Sequence, residues 1–214
     1  MRSYEQFCGL SKALDVVGGR WTLLIVRELL LGPRRYSDLR AALPGIANNL
    51  LADRLRVLEA DGLLARRTLE HGTQVYELTA RGQELDQVVF ALMRWGGDLM
   101  QPSPEDFFRP AWLALVLRAY LPGRVARQDR VRARVLVGDA VIAVDAGERG
   151  VEVSIGDEGP DAVVTLEADP HALLAVASGA ERFAAARRRG GLRVRGPKED
   201  AARLERLFAT AAAR

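Results

Sequence analysis

Amide and guanidinium side chains gather around one apolar stripe of the sequence, a combination that suits the recognition of DNA bases. Ile46, Leu51, Leu55 and Leu58 recur at spacings of five, four and three, which predicts one buried helix face. On a helix that enters the major groove, Asn can pair with adenine, and Arg with guanine or phosphate. The candidate DNA contacts on this stretch are Asn48, Asn49, Asp53, Arg56 and, at the edge of the stripe, Arg54.

Further polar residues flank this helix in the sequence and are candidates for contacts with the DNA backbone. Phosphate contacts position a protein on the duplex without specifying the base sequence. The alternative is that these side chains, like the polar face of most amphipathic helices, only face water. The flanking candidates are Arg34, Arg35, Ser37, Arg66, Arg67 and Gln74.

The stretch within residues 45–62 is called the recognition helix below. The elements around it are predicted to form a helix-turn-helix followed by a β-hairpin wing. Pro44-Gly45 predicts the turn before the recognition helix, and Ser37 is predicted to cap the helix that precedes this turn. Two short strand-like runs joined by residues 69–73 predict the hairpin. The predicted elements are helices at 4–17, 21–31, 38–43, within 45–62, and at 80–100, with strands at 63–68 and 74–78.

Several motifs run in order through residues 8–100. After Cys8 come ALDVVGGRWTLLI at 13–25, LGPRRYSDL at 31–39, PGI at 44–46 and RLRVLEADGL at 54–63. With these motifs the N-terminal half resembles the HxlR family of winged helix-turn-helix regulators. The resemblance implies a homodimer built largely from the first and last helices of this domain, whose two recognition helices bind a pseudo-palindrome in double-stranded DNA.

The sequence departs from this family pattern at two positions. Ala47 stands where a helix-capping Ser is usual, and Gln74 stands in a short hairpin where an Arg is common. Insertion of the wing into the minor groove is therefore the less secure part of the resemblance.

Composition sets the broad class of the protein. The chain has 214 residues, enough for one large domain or two small ones, and no apolar run of membrane-spanning length. The first residues lack the apolar core of a signal peptide, and a single cysteine cannot form an intrachain disulfide. We therefore expect a cytoplasmic protein. The net charge of +3 does not by itself indicate nucleic-acid binding, so only local clustering of charge can do so.

The C-terminal half is predicted to be a separate α+β domain. Residues 101–106 contain two prolines and several polar residues and predict a linker, which gives domains at 1–104 and 105–214. β-Branched residues separated by turn-rich gaps predict an antiparallel meander of four strands. The predicted strands are 130–137, 140–146, 150–155, 161–167 and a last strand at 190–196; the predicted helices are 109–121, 171–178, 180–189 and 198–212.

Residues 110–212 resemble the sterol carrier protein family. The matching features are AVVTL at 162–166, the Leu173-Leu174 helix that ends at Ser178-Gly179, and GLRVRG at 191–196. The resemblance implies a mainly antiparallel sheet with a hydrophobic cavity between the sheet and the helices, and it does not imply that the ligand is a sterol. The alternative is a fully packed core. The ligand-binding candidates are Trp112, Val116, Tyr120, Leu173, Phe183 and Phe208.

No pattern in the sequence indicates catalysis, a cofactor or a metal. His71 and His171 are the two histidines, and they form no zinc-type spacing with Cys8. A glycine-rich phosphate loop and a Gly-x-Ser-x-Gly elbow are also absent from the sequence. We therefore expect a protein that is not an enzyme.

Cys8 is a redox candidate, because it opens the first predicted helix at a position where some HxlR-type proteins keep a sensing thiol. A helix N-terminus can lower the pKa of a thiol and raise its reactivity. The simpler interpretation is a small, partly buried residue.

Taken as a whole, the sequence predicts a DNA-binding transcriptional regulator modulated by a hydrophobic small molecule in the C-terminal domain. The alternative is a thiol-based redox regulator whose C-terminal domain serves dimerisation.

Overall fold

The computed structural model describes residues 3–101, 103, 105–121, 125–156 and 162–211. By internal packing the chain divides into two compact units, Met1–Val89 and Phe90–Arg214. The predicted domain boundary after residue 104 stays a prediction. Pro102 and Pro104 of the predicted linker and Asp161 of a predicted strand lie outside the described residues.

The first unit is a winged helix-turn-helix. Its core is built from apolar helix faces, and Ile25, Leu39 and Leu51 are wholly buried. The elements are α1 (Gly9–Val17), α2 (Thr22–Leu29), α3 (Tyr36–Ala42), α4 (Asn48–Ala60), β1 (Leu64–Thr68), β2 (Gln74–Leu78) and α5 (Ala80–Gln83).

The first helix is shorter than predicted, since α1 begins at Gly9 instead of Tyr4. The backbone N–H of Tyr4 and the hydroxyl of Ser3 donate to the Asp15 carboxylate at 2.9 and 2.8 Å, so the preceding residues fold back along α1. These two donors lower the pKa of Asp15. A helix that continued back to Tyr4 would place these donors out of reach of Asp15.

The predicted capping role of Ser37 is wrong. Helix α3 begins at Tyr36, and Arg35 occupies the N-cap position. The Asp38 carboxylate accepts a hydrogen bond of 3.1 Å from the Arg35 backbone N–H, which stabilises this earlier start. Ser37 therefore lies inside the first turn of the helix, with its side chain exposed.

The wing is an antiparallel hairpin in which Arg66 lies opposite Tyr76. Arg34 adds a single bridge to the other side of Tyr76, with backbone hydrogen bonds of 2.9 and 2.8 Å. After β2, the Thr79 hydroxyl donates to the Gly62 carbonyl at 2.7 Å and accepts from the Gly82 N–H at 3.2 Å. This bridge fixes the end of the wing against the turn that follows α4.

The single helix predicted at residues 80–100 is interrupted. After α5 a tight turn, in which the Leu85 N–H donates to the Gly82 carbonyl at 3.2 Å, leads to α6 (Asp86–Gly96), and a 3-10 turn follows at Gly97–Leu99. The apolar residues at 85–95 keep the period of one helix, so the sequence predicts no break. The tight turn at residues 82–85 leaves that periodicity unchanged.

The second unit is an α+β fold. Helix α7 (Leu113–Tyr120) precedes the strands, and its apolar residues Leu113, Leu115 and Leu117 are buried. The described residues form a sheet of order β5-β4-β3-β6-β7. Its strands are β3 (Val131–Val137), β4 (Ala140–Gly147), β5 (Gly150–Ile155), β6 (Val164–Ala168) and β7 (Leu192–Arg195).

The prediction of a four-strand meander is correct for β3 to β5 and wrong for β6. Strand β6 pairs in parallel with β3, with Val164 opposite Ala133 and Leu166 opposite Val135. This pairing makes β3 a central strand, and these four side chains are all buried. The sheet remains mainly antiparallel, as predicted, because the β3–β4, β4–β5 and β6–β7 pairs are antiparallel.

The remaining helices close the second unit. Asp169 caps α8 (Pro170–Ala177) by accepting a 3.0 Å hydrogen bond from the Ala172 N–H. Helices α9 (Phe183–Arg188) and α10 (Lys198–Ala211) follow, the second after β7. No helix in the described part of the chain is long and apolar enough to cross a membrane.

Candidate nucleic-acid interface

Helix α4 presents one polar face outward because its other face is anchored in the core. Leu51, Leu55 and Leu58 are at most 1% exposed, as the predicted stripe requires. Asn48 and Asn49 at its start are exposed, and the Arg56 side chain is 67% exposed. The structure therefore brings three of the predicted base-contacting residues together on one accessible face.

The N-terminus of α4 lacks a conventional cap. Ala47 occupies the N-cap position without a side-chain acceptor. Asn49 partly replaces that acceptor, because its Oδ1 accepts a hydrogen bond of 2.9 Å from the Leu50 N–H. Bidentate pairing with adenine uses this same oxygen as an acceptor, so it requires the local hydrogen bond to open or to be shared.

Tyr36 is a positioning residue that the sequence patterns missed. Its hydroxyl donates to the Asn48 carbonyl at 2.9 Å, which joins the first turn of α3 to the first turn of α4. A tyrosine inside a short helix gives no local signal of such a role. The hydrogen bond fixes the two helices of the helix-turn-helix at the end that would approach DNA.

Asp53 lies between two arginines on α4. Its carboxylate is 2.9 Å from Nη1 of Arg56 and 3.6 Å from Nη1 of Arg54. The two arginines differ in accessibility, since the Arg54 side chain is 21% exposed and that of Arg56 is 67% exposed. Arg56 is thus available to a large external partner, whereas Arg54 is mostly covered by its own protein.

The residues before α4 lie at different depths. Arg35 and Ser37 are exposed at the start of α3. Arg34 is half-buried beside the wing, and its Nε has no hydrogen-bond partner among the described residues. Arg35 is therefore better placed for a phosphate than Arg34.

The wing arginines are paired with carboxylates. Arg66 lies 2.9 Å from Glu59 of α4, and Arg67 lies 2.7 Å from Glu77 of the opposite strand. The Arg66 guanidinium also lies 5.5 Å from the centre of the Tyr76 ring. Gln74 is exposed at the first position of β2. These ion pairs place part of the wing's positive charge against acidic partners.

Cys8 is exposed, which differs from the partly buried position that the simpler interpretation predicts. The reason is the late start of α1, which leaves Cys8 at the N-cap position instead of inside the helix. The backbone N–H groups of Ser11 and Leu10, in that order of effect, lower the pKa of the Cys8 thiol. The thiol is therefore accessible and biased toward thiolate.

The predicted ligand-binding residues divide into two groups. Val116, Leu173, Phe183 and Phe208 are buried, and the rings of Phe183 and Phe208 are 5.5 Å apart. Trp112 and Tyr120, just before and at the end of α7, are half-buried. Phe107 and Phe108 contact the Trp112 ring edge-on, at centroid distances of 5.8 and 6.1 Å.

Both α1 and α6 carry exposed apolar side chains. On and before α1 these are Phe7, Leu10 and Leu14. On α6 and just beyond it they are Val88, Leu92, Trp95, Leu99 and Met100. Large apolar side chains exposed along one helix in this way are candidates for contact with a partner.

Comparison with known proteins assigns the first half of the chain. A family model described as HxlR-like helix-turn-helix matches residues 16–104. The chain is 33% identical over 108 residues to YvaP, an uncharacterised HTH-type transcriptional regulator of Bacillus subtilis, covering 50% of this chain and 100% of that protein. It is 38% identical over 96 residues to sll1512, an uncharacterised HTH-type transcriptional regulator of Synechocystis sp., covering 44% of this chain and 71% of that protein.

Among solved structures, the redox regulator HypR in its oxidised form is 30% identical, with a TM-score of 0.42. The match covers 44% of this chain and 100% of that chain. Since the family model ends at residue 104, residues 105–214 lie outside it.

Proposed function

Because the chain belongs to the HxlR-like helix-turn-helix family and is a DNA-binding transcriptional regulator, we propose that it binds a pseudo-palindromic operator as a homodimer. The observation that carries this proposal is the exposed polar face of α4, held outward by a fully buried leucine stripe. Two copies of this helix in a symmetric dimer would enter successive major grooves on one side of the duplex.

In this proposal Asn49 and Arg56 contact base edges. Asn can pair with adenine and Arg with guanine, and both side chains lie on the exposed side of α4. Asn48 and Asp53 border the same contact, where Asp53 holds Arg56 until DNA replaces it. Arg35 and Ser37 supply phosphate contacts, and Arg66, Arg67 and Gln74 supply the wing's contacts.

The homodimer is proposed to form through α1 and α6. Leu10 is 68% exposed and Trp95 is 72% exposed, although both are large apolar side chains on amphipathic helices. Burial of such side chains contributes roughly 25 cal/mol per Å² of apolar surface, which makes self-association favourable.

We propose that the second unit is a sterol-carrier-like domain whose bound hydrophobic small molecule alters operator affinity. Support comes from the half-buried aromatic rings of Trp112 and Tyr120, which stand before and at the end of α7, the helix that carries the buried candidate Val116. An effector can shift operator affinity only by its differential affinity for the two arrangements of the dimer.

A second candidate function is thiol-based redox sensing by Cys8, with the second unit as a dimerisation module. The observation that favours it is an exposed thiol whose pKa is lowered by the backbone N–H groups of Ser11 and Leu10. Oxidation of a thiol next to the proposed dimer helix would alter the dimer directly. The two candidates differ in where the signal enters, at Cys8 or in the second unit.

Selection of duplexes from a random DNA library by the full-length protein tests the main proposal. We expect enrichment of an inverted repeat whose half-sites are about one helical turn apart. Native mass spectrometry of the same preparation should give the mass of a dimer and of any retained ligand. Failure to enrich any sequence, or a monomeric mass together with a single half-site, would contradict the proposal.

A further inference from the structure

The recognition helix contacts a turn that lies far from it in the sequence. Gly18-Gly19-Arg20-Trp21 connects α1 to α2. A methyl group on Gly19 would lie 3.1 Å from Oγ1 of Thr22, 3.3 Å from Nε of Arg54 and 3.4 Å from Cζ of Arg54. The guanidinium of Arg54 thus packs directly on the Gly19 backbone. This approach is possible because glycine has no Cβ.

A second contact joins the same turn to the start of α4. A Cβ on Gly45, just before α4, would be 3.8 Å from the ring of Trp21. Trp21 adopts a left-handed backbone conformation, with φ of 78°, which is costly for a side chain of this size. The turn therefore holds an unfavourable backbone geometry while it lies against Arg54 of α4 and against Gly45 in the segment that leads into α4.

The environment of Arg54 is poor for a residue that contributes only stability. Its Nε is buried without a hydrogen-bond partner among the described residues, and its nearest acidic neighbour, Asp53, is 3.6 Å away. Arg54 lies next to the buried stripe of α4, whereas Arg56 projects outward.

We propose that Arg54 is a positioning residue that seats the recognition helix on the Gly19–Trp21 turn, and that it makes no contact of its own with DNA. By fixing the rotation of α4 about its axis, it sets how Asn49 and Arg56 are presented to base edges. This inference rests on the proposed function, since it assigns a role within operator recognition.

The proposal distinguishes planar packing from charge. A guanidinium is flat and can lie on a glycine backbone, whereas an ammonium is a compact point charge on a flexible stem. If Arg54 bound a phosphate, Lys would preserve most of that contact. If Arg54 packs on Gly19, Arg54→Lys should impair operator binding as Arg54→Met does.

The experiment is a double-mutant cycle in the full-length protein, using the duplex that the wild-type protein selects and a scrambled duplex. The variants are Gly19→Ala, Arg54→Met, the double variant and Arg54→Lys. Gly147→Ala is the matched control, because Gly147 lies in the second unit and a methyl group there makes only an ordinary contact of 3.5 Å with Oδ1 of Asp145. Affinities are measured at several salt concentrations, and thermal melts report the folded fraction of each variant.

We expect each of the three single variants at positions 19 and 54 to weaken operator binding while the slope of log Kd against log salt is unchanged. The operator affinity of the double variant should be no lower than that of the single variant with the lower affinity. Its Kd should differ from the value expected for additive effects by at least about twofold, as for residues in contact. Gly147→Ala should match the wild type.

Three results would overturn this inference while leaving operator recognition intact. They are additive effects of Gly19→Ala and Arg54→Met, wild-type affinity in Arg54→Lys, and a salt slope lowered by about 0.9, the loss of one phosphate contact. If Arg54→Met does not fold, Gly19→Ala and Arg54→Lys still test the contact, one by changing the glycine and the other by changing the arginine. Failure of the wild-type protein to select any duplex would instead refute the proposed function itself.

Discussion

The carboxylate of Asp53 and the guanidinium of Arg56 lie 2.9 Å apart, one turn apart on the exposed face of α4. Both side chains are substantially exposed, so the pair contributes little to stability. In the proposed recognition of DNA, Arg56 would exchange Asp53 for a base or a phosphate.

Asn49→Ala and Arg56→Ala are each expected to cost about 1–3 kcal/mol of specific binding and to relax base preference at one position in each half-site. Gel-shift titrations with the selected duplex and with single-base variants measure both effects. Arg35→Ala is the comparison, since loss of a phosphate contact should weaken binding to every sequence and lower the salt slope by about 0.9. Unchanged base preference in both recognition-helix variants would exclude α4 as the helix that recognises the base sequence.

Ala47→Ser is expected to stabilise α4. A serine at the N-cap can accept a hydrogen bond from the first-turn N–H groups, which Ala47 leaves to Asn49. The gain should be about 0.5–2 kcal/mol of unfolding free energy, measured by chemical denaturation. Ala47→Val, which gives no side-chain acceptor and is as poor an N-cap as Ala, is the control, and an equal gain in that variant would contradict the capping explanation.

Leu10→Glu is expected to weaken the homodimer. Leu10 is 68% exposed on α1, and a carboxylate there would have to be desolvated at the proposed interface. Size-exclusion chromatography with light scattering should show a concentration-dependent shift toward monomer. Val163→Glu is the matched control, because Val163 is also an exposed apolar residue but lies in the second unit, outside α1 and α6. A stable dimer in Leu10→Glu would exclude α1 from the interface.

Cys8 is expected to titrate below the ordinary thiol pKa of 9.0, because the Ser11 and Leu10 N–H groups favour the thiolate. Since the pKa is lower in the folded state, the thiolate adds stability fully above the unfolded pKa. This stability is lost as the pH falls through the folded pKa. The rate of iodoacetamide alkylation against pH should therefore have a lower midpoint in folded than in denatured protein.

Redox sensing is tested separately from this titration. We expect neither diamide nor hydrogen peroxide to change operator affinity, as the effector proposal implies. If mild oxidant cross-links the dimer or weakens operator binding, and Cys8→Ser abolishes the response, thiol sensing replaces effector sensing as the regulatory mechanism.

Val116→Trp is expected to block the effector response while operator binding persists. Val116 is buried on α7, so the larger ring would fill space there at a cost of about 1–3 kcal/mol in stability. In the wild type, apolar metabolites extracted from the source cell should shift operator affinity roughly 5- to 150-fold and raise the melting temperature. Val163→Trp, at an exposed valine of the same unit, should respond like the wild type. Absence of any shift in the wild type would leave the second unit as a dimerisation module.

The sequence by itself determined the order of the elements and the buried stripe of the recognition helix. Leu51, Leu55 and Leu58 follow the period of one helix, and the hairpin is bounded by a local turn. These features depend on residues close together in the chain, so their signal is carried by local spacing. The exposed position of Arg56 follows from the same periodicity.

Tertiary structure decided the features that depend on distant residues. Strand β6 joins β3 in parallel because its alternate residues can be buried there, a choice that the strand's own sequence does not encode. Ser3 and Tyr4 fold back onto Asp15, so α1 begins only at Gly9 and Cys8 is exposed. Arg54 and Arg56 are two residues apart in the sequence. Arg54 is mostly covered because Gly19, which is distant in the chain, approaches it, whereas Arg56 stays exposed. Burial is a property of the assembled chain, so residues of the same type acquire different roles.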